Sequence, residues 1–223
     1  MGIFVTVLVG LILRLICIDK AEGLWNDEYM SWMIASQPFT NGFWHSVASQ
    51  CHMPFYYLYL KFFMNFFGQS DLVLRLTSVF SGVLSVVVMY FTGLEKNKKT
   101  AFLLSFFTAI SGFLIYYSQE VRIYSLLFLL SAFSLFFTLK ALKNPNKKNV
   151  SGLIISDVMI LLTHTIGFVY VFFQLIYLSF ELFKQFKKQI IIMWGVILAV
   201  VAGLTPFALK IFTTHKFFPW WGG

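Results

Sequence analysis

The sequence predicts an all-α, polytopic integral membrane protein, on three observations. Of the 223 residues, 59% are hydrophobic and 12% are charged, about half the ~25% charged fraction of a soluble globule. Several apolar runs approach or exceed the roughly 18–20 residues that a helix needs to cross a bilayer. The many short alternating segments of a membrane β-barrel do not occur. The expectation is one membrane domain over 1–223 with about seven transmembrane helices. Two interfacial amphipathic helices are expected in a first extracytoplasmic loop at 19–70.

The net charge of +8 reads as an orientation signal and not as a nucleic-acid surface. Ten of the seventeen basic residues are lysines in three short loops: Lys96, Lys98 and Lys99; Lys140, Lys143, Lys147 and Lys148; Lys184, Lys187 and Lys188. Lysine clusters between apolar runs mark the cytoplasmic side. The chain is therefore expected in the cell membrane as a multi-pass protein, with its N-terminus cytoplasmic. The N-terminal run lacks a basic region and a small-residue cleavage site, so it reads as an anchor. Cys17 and Cys51 both fall near the outer face, but two cysteines make no disulfide framework and no metal spacing.

Taken in order, residues 3–18 form the first span, and Arg14 near its end is expected to snorkel to the interface. The loop that follows carries one amphipathic piece at 27–35 and another at 54–67. The second is short for a span and rich in Tyr, which favours the interface. Residues 72–94 run inward and 103–117 outward. A tight outer corner over 117–122 leads to an inward span at 123–139. Residues 150–183 are long enough for two spans, turning at Thr163-His164-Thr165-Ile166-Gly167. Residues 190–209 run outward, ending at Pro206, which cannot continue a helix freely. The tail 216–223 is an interfacial aromatic group. No linker, repeat or soluble module interrupts this order.

This topology sorts the polar residues. Asp27, Glu28, His52, Arg75, Gln119, Glu120, Arg122 and His164 converge on the outer face from separated segments, as an active site at the lipid–water boundary would require. The stretch Leu24-Trp25-Asn26-Asp27-Glu28-Tyr29-Met30-Ser31-Trp32 stands out for its adjacent carboxylates among aromatics. Such a pair can act as a general base, bind a metal or bind a sugar hydroxyl. It can also be the acidic first turn of an interfacial helix, with Asn26 as the cap. Arg75 and Arg122 open spans on the outer side, against the charge bias. Each can pair with a carboxylate, snorkel or bind a phosphate. Glu120 and Arg122 are two apart and would not share a helical face, though at a corner they can pair. His52 can be a plain loop histidine at a helix start. Asp157 lies inside a span, where an acid is costly unless paired or facing protein; a contact to a neighbouring helix accounts for it.

Four motifs carry a resemblance: Leu24-Trp25-Asn26-Asp27-Glu28; His52-Met53-Pro54-Phe55-Tyr56-Tyr57; Gly68-Gln69-Ser70-Asp71-Leu72-Val73-Leu74-Arg75-Leu76; and Tyr117-Ser118-Gln119-Glu120-Val121-Arg122-Ile123-Tyr124. In this order they resemble the GT-C glycosyltransferases. The branch they are most similar to is the dolichyl-phosphate-mannose protein mannosyltransferase-like group, which includes bacterial lipid A sugar and aminoarabinose transferases. Thr163-His164-Thr165-Ile166-Gly167 followed by Gln174 is a further, vaguer match. The histidine motif usually reads His-Pro-Pro, and here Met53 holds the middle position. Members of the group usually run much longer, so the chain resembles their N-terminal, catalytic half. A C-terminal half or partner subunit is then an implied partner.

The resemblance implies a sugar donor linked to polyprenyl phosphate and an envelope acceptor: a lipid, a polysaccharide or a protein. It implies Asp27 as the catalytic base, with Glu28 supporting it or contacting the sugar. His52, Arg75 and Arg122 would hold the donor phosphate, and Glu120 would orient the sugar, the acceptor or an arginine. The lack of a nucleotide-binding motif suits a lipid-linked donor. No cofactor is required by the motifs; a divalent metal would be compatible, but no ligand cluster with firm spacing occurs. Two rival readings remain: a truncated, inactive homologue acting as a membrane assembly or lipid-binding subunit, and a transporter. A transporter calls for charged or broken helices near mid-membrane on a repeat axis, and Asp157 alone fits.

Overall fold

The computed structural model describes residues 2–16, 18, 23–49 and 53–215, and all regular structure among them is helical. Local signals start several of the helices. Ser70 accepts from the Val73 amide ahead of α5 (Asp71–Leu94); the preceding helix α4 (Phe55–Phe67) ends at Gly68, whose φ of 95° suits glycine. Asn97 caps α6 (Lys98–Ile110) at 2.8 Å, and Asn146 caps α9 (Lys147–Leu161) at 3.0 Å. The others are α1 (Gly2–Leu15), α2 (Asn26–Ser36), α3 (Asn41–Ser49), α7 (Gly112–Ser118), α8 (Tyr124–Lys143) and α10 (Ile166–His215).

Helix α5 is the hub and packs against α1, α4, α6, α7 and α8. Its buried face carries small residues, Thr77, Ser78, Ser81, Gly82 and Ser85, which let backbones approach closely where apolar burial cannot drive association. At its end a Cβ on Gly93 would stand 2.4 Å from the Ala101 Cα, so the α5–α6 turn needs a glycine. One apolar core joins α2, α3, α4, α5 and α8, and a second joins α8, α9 and α10.

Helix α5, helix α8 and two stretches of α10, Ile166–Lys184 and Phe186–Pro206, are each long and apolar enough to cross a membrane. The pair α6–α7 passes the same test together, bent by 57°. Helix α1 is apolar but has 14 residues, about 21 Å at 1.5 Å per residue against a hydrocarbon core of ~30 Å. Large apolar side chains such as Phe173 and Phe180 face outward, as lipid contact requires. The chain is a multi-pass membrane protein.

The structure departs from the sequence reading at four places. Residues 103–117 are not one helix: the break falls at Ser111, between α6 and α7. Arg14 does not snorkel. It is fully buried and donates to the Thr108 and Ala109 carbonyls, each at 3.1 Å, which the end of α6 leaves without helical partners. It also reaches Gly10 O at 3.0 Å and Ser118 Oγ at 3.2 Å. Helix α3 stands in the first loop, where no helix was expected. Helix α10 runs through Pro206 to His215, with its break at Phe186 (φ −130°, ψ 40°).

Glu95 after α5 is 3.0 Å from Lys143 and 3.9 Å from Lys140. Two of the lysine-rich turns therefore share one end of the bundle.

Candidate active site

At the opposite end of α5 and α8 the acidic motif opens α2. Trp25, and not Asn26, holds the N-cap position; Glu28, in the first turn, reaches back to the Trp25 amide at 3.4 Å. Successive helical side chains point ~100° apart, so Asp27 and Glu28 face different partners.

Glu28 turns inward and is 1% exposed. Its Oε1 accepts from Arg75 Nε at 3.3 Å and from the Val121 amide at 2.9 Å; its Oε2 accepts from Arg75 Nη2 at 3.0 Å. Arg75, 4% exposed, also donates to Ile18 O at 3.2 Å and Gly23 O at 2.9 Å. Gly23 has φ 85°, and the turn it makes presents that carbonyl. One buried ion pair thus joins α2, α5, the segment after α1 and the 119–123 corner. Gln119 adds to the seam by donating to the carbonyls of Ile16 at 2.7 Å and Arg14 at 3.2 Å.

Asp27 turns outward, with 41% of its side chain exposed. Its Oδ2 lies 3.1 Å from Arg122 Nη2, and Arg122 is 13% exposed. The guanidinium also lies over the Tyr124 ring, 5.6 Å from its centre. At the corner Arg122 pairs with Asp27, while its own backbone amide donates to Glu120 O at 2.8 Å. The Glu120 carboxyl is pushed up from its ordinary range, first by burial and further by the charges of Glu28 and Asp27; the Tyr116 hydroxyl and Arg122 oppose this.

Two further segments reach Arg122. Tyr56 and Tyr57 of α4 are buried and feel its charge, and the Tyr56 hydroxyl faces Ser31 of α2. His164, in the turn between α9 and α10, is shifted down first by burial and then by Arg122. Its Nδ1 accepts from the Ile166 amide at 3.0 Å, so a neutral ring carries its proton on Nε2. The Phe55 amide donates to Leu162 O at 2.9 Å, tying the start of α4 to that turn, and Met53 packs on Phe168.

Of the residues singled out from sequence, Asp27, Glu28, Arg75, Glu120, Arg122 and His164 therefore surround one end of the bundle. His52, with Cys17 and Cys51, lies outside the described residues, as does the tail after His215. Tyr56 and Tyr57 lie within the histidine motif, and the sequence assigns them no role. The signal that could have found them is their position directly after Pro54, which starts α4. No group of three or more His, Cys, Asp or Glu that could hold a metal occurs among the described residues. A cavity of about 270 Å³ runs beside the site, lined by Arg14, Tyr117, Ser118, Tyr124, Ser125 and Phe128 among others. It shares Tyr124 with Arg122.

Neither a curated protein nor a solved structure matches the chain. The family model described as dolichyl-phosphate-mannose-protein mannosyltransferase matches residues 51–208, well over half of the chain, and the match begins after the Asp27–Glu28 motif. On this match, and in keeping with its apolar helices, the chain belongs to the dolichyl-phosphate-mannose-protein mannosyltransferase family, membrane glycosyltransferases of the GT-C superfamily.

Proposed function

We propose that the protein transfers a hexose-type sugar from a polyprenyl-phosphate carrier to an extracytoplasmic envelope acceptor, with Asp27 as the base. The observation that carries this reading is the division of labour between adjacent acids: Asp27 is open beside Arg122, whereas Glu28 is sealed by Arg75. An incoming acceptor hydroxyl needs a reachable carboxylate. A departing phosphate needs positive charge beside it.

In this mechanism the acceptor hydroxyl attacks the anomeric carbon and a new C–O bond forms. The bond from that carbon to the phosphate oxygen breaks, and its electron pair leaves with the polyprenyl phosphate. The hydroxyl proton goes to Asp27. Arg122, with His52, balances the charge of the leaving phosphate. Arg75 and Glu28 act as positioning residues, because Arg75 would have to release Glu28 and two carbonyls before it could touch a phosphate. Glu120 orients the sugar or the acceptor. The cavity behind Tyr124, apolar except for Arg14 and its serines, suits the first isoprene units of the carrier.

On this reading the chain crosses the membrane seven times, with α1 (14 residues) and α9 (15 residues) as short spans beside α5, the bent α6–α7 pair, α8 and the two stretches of α10. The lysine turns would then be cytoplasmic, with the Asp27–Arg122 pair on the outer side and α2 and α4 along the interface.

The test is transfer of labelled sugar from a polyprenyl-phosphate donor by the purified protein, wild type against Asp27→Asn at matched folded amounts. Transfer by the wild type alone supports the reading. Undiminished transfer by Asp27→Asn removes Asp27 as the base. No transfer by a folded wild type from any lipid-linked sugar rejects the enzyme reading of this chain.

A further inference from the structure

Two residues with no part in the proposed chemistry tie α1 to the bent α6–α7 pair by exchanging caps. The buried Arg14 of α1 donates to the Thr108 and Ala109 carbonyls at the end of α6, each at 3.1 Å, and through Nε to Ser118 Oγ of α7 at 3.2 Å. In return Gln119, directly after α7, donates through Nε2 to carbonyls at the end of α1: Ile16 at 2.7 Å, Arg14 at 3.2 Å and Leu13 at 3.4 Å. Both helix ends would otherwise leave carbonyls unmet. Gly82 of α5 makes room for this clasp, since a Cβ there would strike Ser118 Oγ and Arg14 Nε together.

The clasp holds one wall of the cavity of about 270 Å³ beside the candidate site. Helix α7 supplies Phe113 and Tyr117 to its lining, and α8 supplies Tyr124 and Ser131. Three of these rings form a row, with 4.7 Å between the centres of Phe113 and Tyr117 and 4.5 Å between those of Tyr117 and Tyr124. The row ends at Arg122, whose guanidinium stands 5.6 Å from the centre of the Tyr124 ring. A cation at the end of an aromatic-lined cavity matches an amphiphile with an anionic head and an apolar chain. Phe113 and Tyr117 ride on α7, and α7 leaves α6 at 57°, so the place of the row depends on what holds that bend. Arg14 pairs with no carboxylate among the described residues. An apolar side chain would fill its space without burying a charge, but could not hold the ends of two helices at once.

We propose that Arg14 and Gln119 are positioning residues for the donor's carrier chain: by locking the α6–α7 bend they set the row Phe113–Tyr117–Tyr124 against which the first isoprene units lie. This rests on the polyprenyl-phosphate reading above and adds to it the residues that decide how much the chain contributes to binding. Neither residue touches the chain. They act through α7, and the phosphate end stays with Arg122.

The experiment is displacement of a radiolabelled long-chain polyprenyl phosphate from the purified protein in nanodiscs, by geranyl phosphate, which carries two isoprene units, and by methyl phosphate, which carries none. The advantage of geranyl over methyl phosphate reads the cavity alone. The expected result is a clear advantage in the wild type that falls by about tenfold or more in Arg14→Met, the scale of a few apolar groups losing their contacts, with methyl phosphate displacing as before. Arg14→Lys, which keeps a donor for one helix end, recovers part of it. Gln119→Leu removes the other half of the clasp and decides the matter if Arg14→Met does not fold. Ser131→Leu, which fills the cavity and gives up only a bond within its own helix, should lose the advantage as well. Folded clasp variants that keep the advantage, or that weaken both phosphates alike, overturn the proposal and leave the donor reading standing. A wild type that binds no polyprenyl phosphate overturns both.

Discussion

Glu28 and Arg75 form a two-contact ion pair closed off from solvent, 47 residues apart in the chain, at the point where α2, α5 and the corner before α8 meet. One residue away, Asp27, 41% exposed, meets the more enclosed Arg122. The two pairs look alike in sequence and differ in what they do.

Breaking the inner pair should unfold the site. Removing one partner of a buried ion pair leaves the other charge uncompensated and costs about 3–5 kcal/mol. Glu28→Ala and Arg75→Ala are each expected to lower stability by that order, measured by thermal or denaturant unfolding in detergent. A double variant that loses less than the two single losses combined would show the coupling directly. Additive losses would mean that the pair contributes little as a pair.

Breaking the outer pair should spare the fold and stop the chemistry. A fully exposed ion pair is worth about 0–1 kcal/mol; with Asp27 41% and Arg122 13% exposed this pair is worth somewhat more, but Asp27→Asn should still shift Tm less than Glu28→Ala. Loss of a positioned base costs typically ~10²–10⁴ in rate. A Tm drop as large as that of Glu28→Ala would make Asp27 structural.

Arg122→Ala should lower kcat/KM for the lipid-linked donor by about 10²-fold or more, the scale of one lost charge-stabilising group, with a small change in stability. Arg122→Lys should recover part of the loss, since it keeps the charge and loses the fork geometry. Equal falls in Tm and kcat/KM in Arg122→Ala, without recovery in Arg122→Lys, would argue for a structural arginine.

Two groups at the site predict a pH dependence of stability. His164 is shifted down by burial and Arg122. Its folded form prefers the neutral ring, so its contribution is present above the ordinary histidine pKa of ~6.5 and is lost as pH falls toward the lower folded value. His164→Asn, which keeps an acceptor for the Ile166 amide, should flatten that acid limb. Glu120 is shifted up, first by burial. Its contribution is present below the ordinary glutamate pKa of ~4.3 and is lost as pH rises through the raised value. Glu120→Gln should therefore gain on the wild type as pH rises through that window. Unfolding curves from pH 4 to 8 check both, and parallel curves would rule out both shifts.

Gly82 should tolerate no side chain. A Cβ there would stand 2.2 Å from Ser118 Oγ and 2.7 Å from Arg14 Nε, displacing the arginine that satisfies the end of α6. Gly82→Ala is expected to cost about 1–3 kcal/mol through overpacking, read by unfolding in detergent. A neutral result would show that the α6–α7 break does not depend on Arg14.

Composition and charge pattern were enough for the helical membrane class, because a bilayer admits few other solutions. Run length gave helix α5 (71–94) and most of α8, where apolar sequence is uninterrupted and Ser70 supplies a cap. The gathering of Asp27, Glu28, Arg75, Glu120, Arg122 and His164 at one end was also legible, since polar residues avoid the hydrocarbon and alternating spans return them to one side. Beyond that, local sequence ran out. Ser111 marks the break locally by capping α7, but what compensates it is Arg14, 97 residues earlier, which takes up the carbonyls the break frees. That distant partner is not readable from the sequence around Ser111, since an arginine near a helix end looks the same whether it snorkels or folds inward. Which acid meets which arginine was undecided for a similar reason. Asp27 and Glu28 are neighbours with the same chemistry, and only the rotation of α2 against α5 turns one toward Arg75 and leaves the other to Arg122. The sequence by itself determined which residues gather at one end of the bundle; the packing of distant helices decided which of them are buried and which stay exposed.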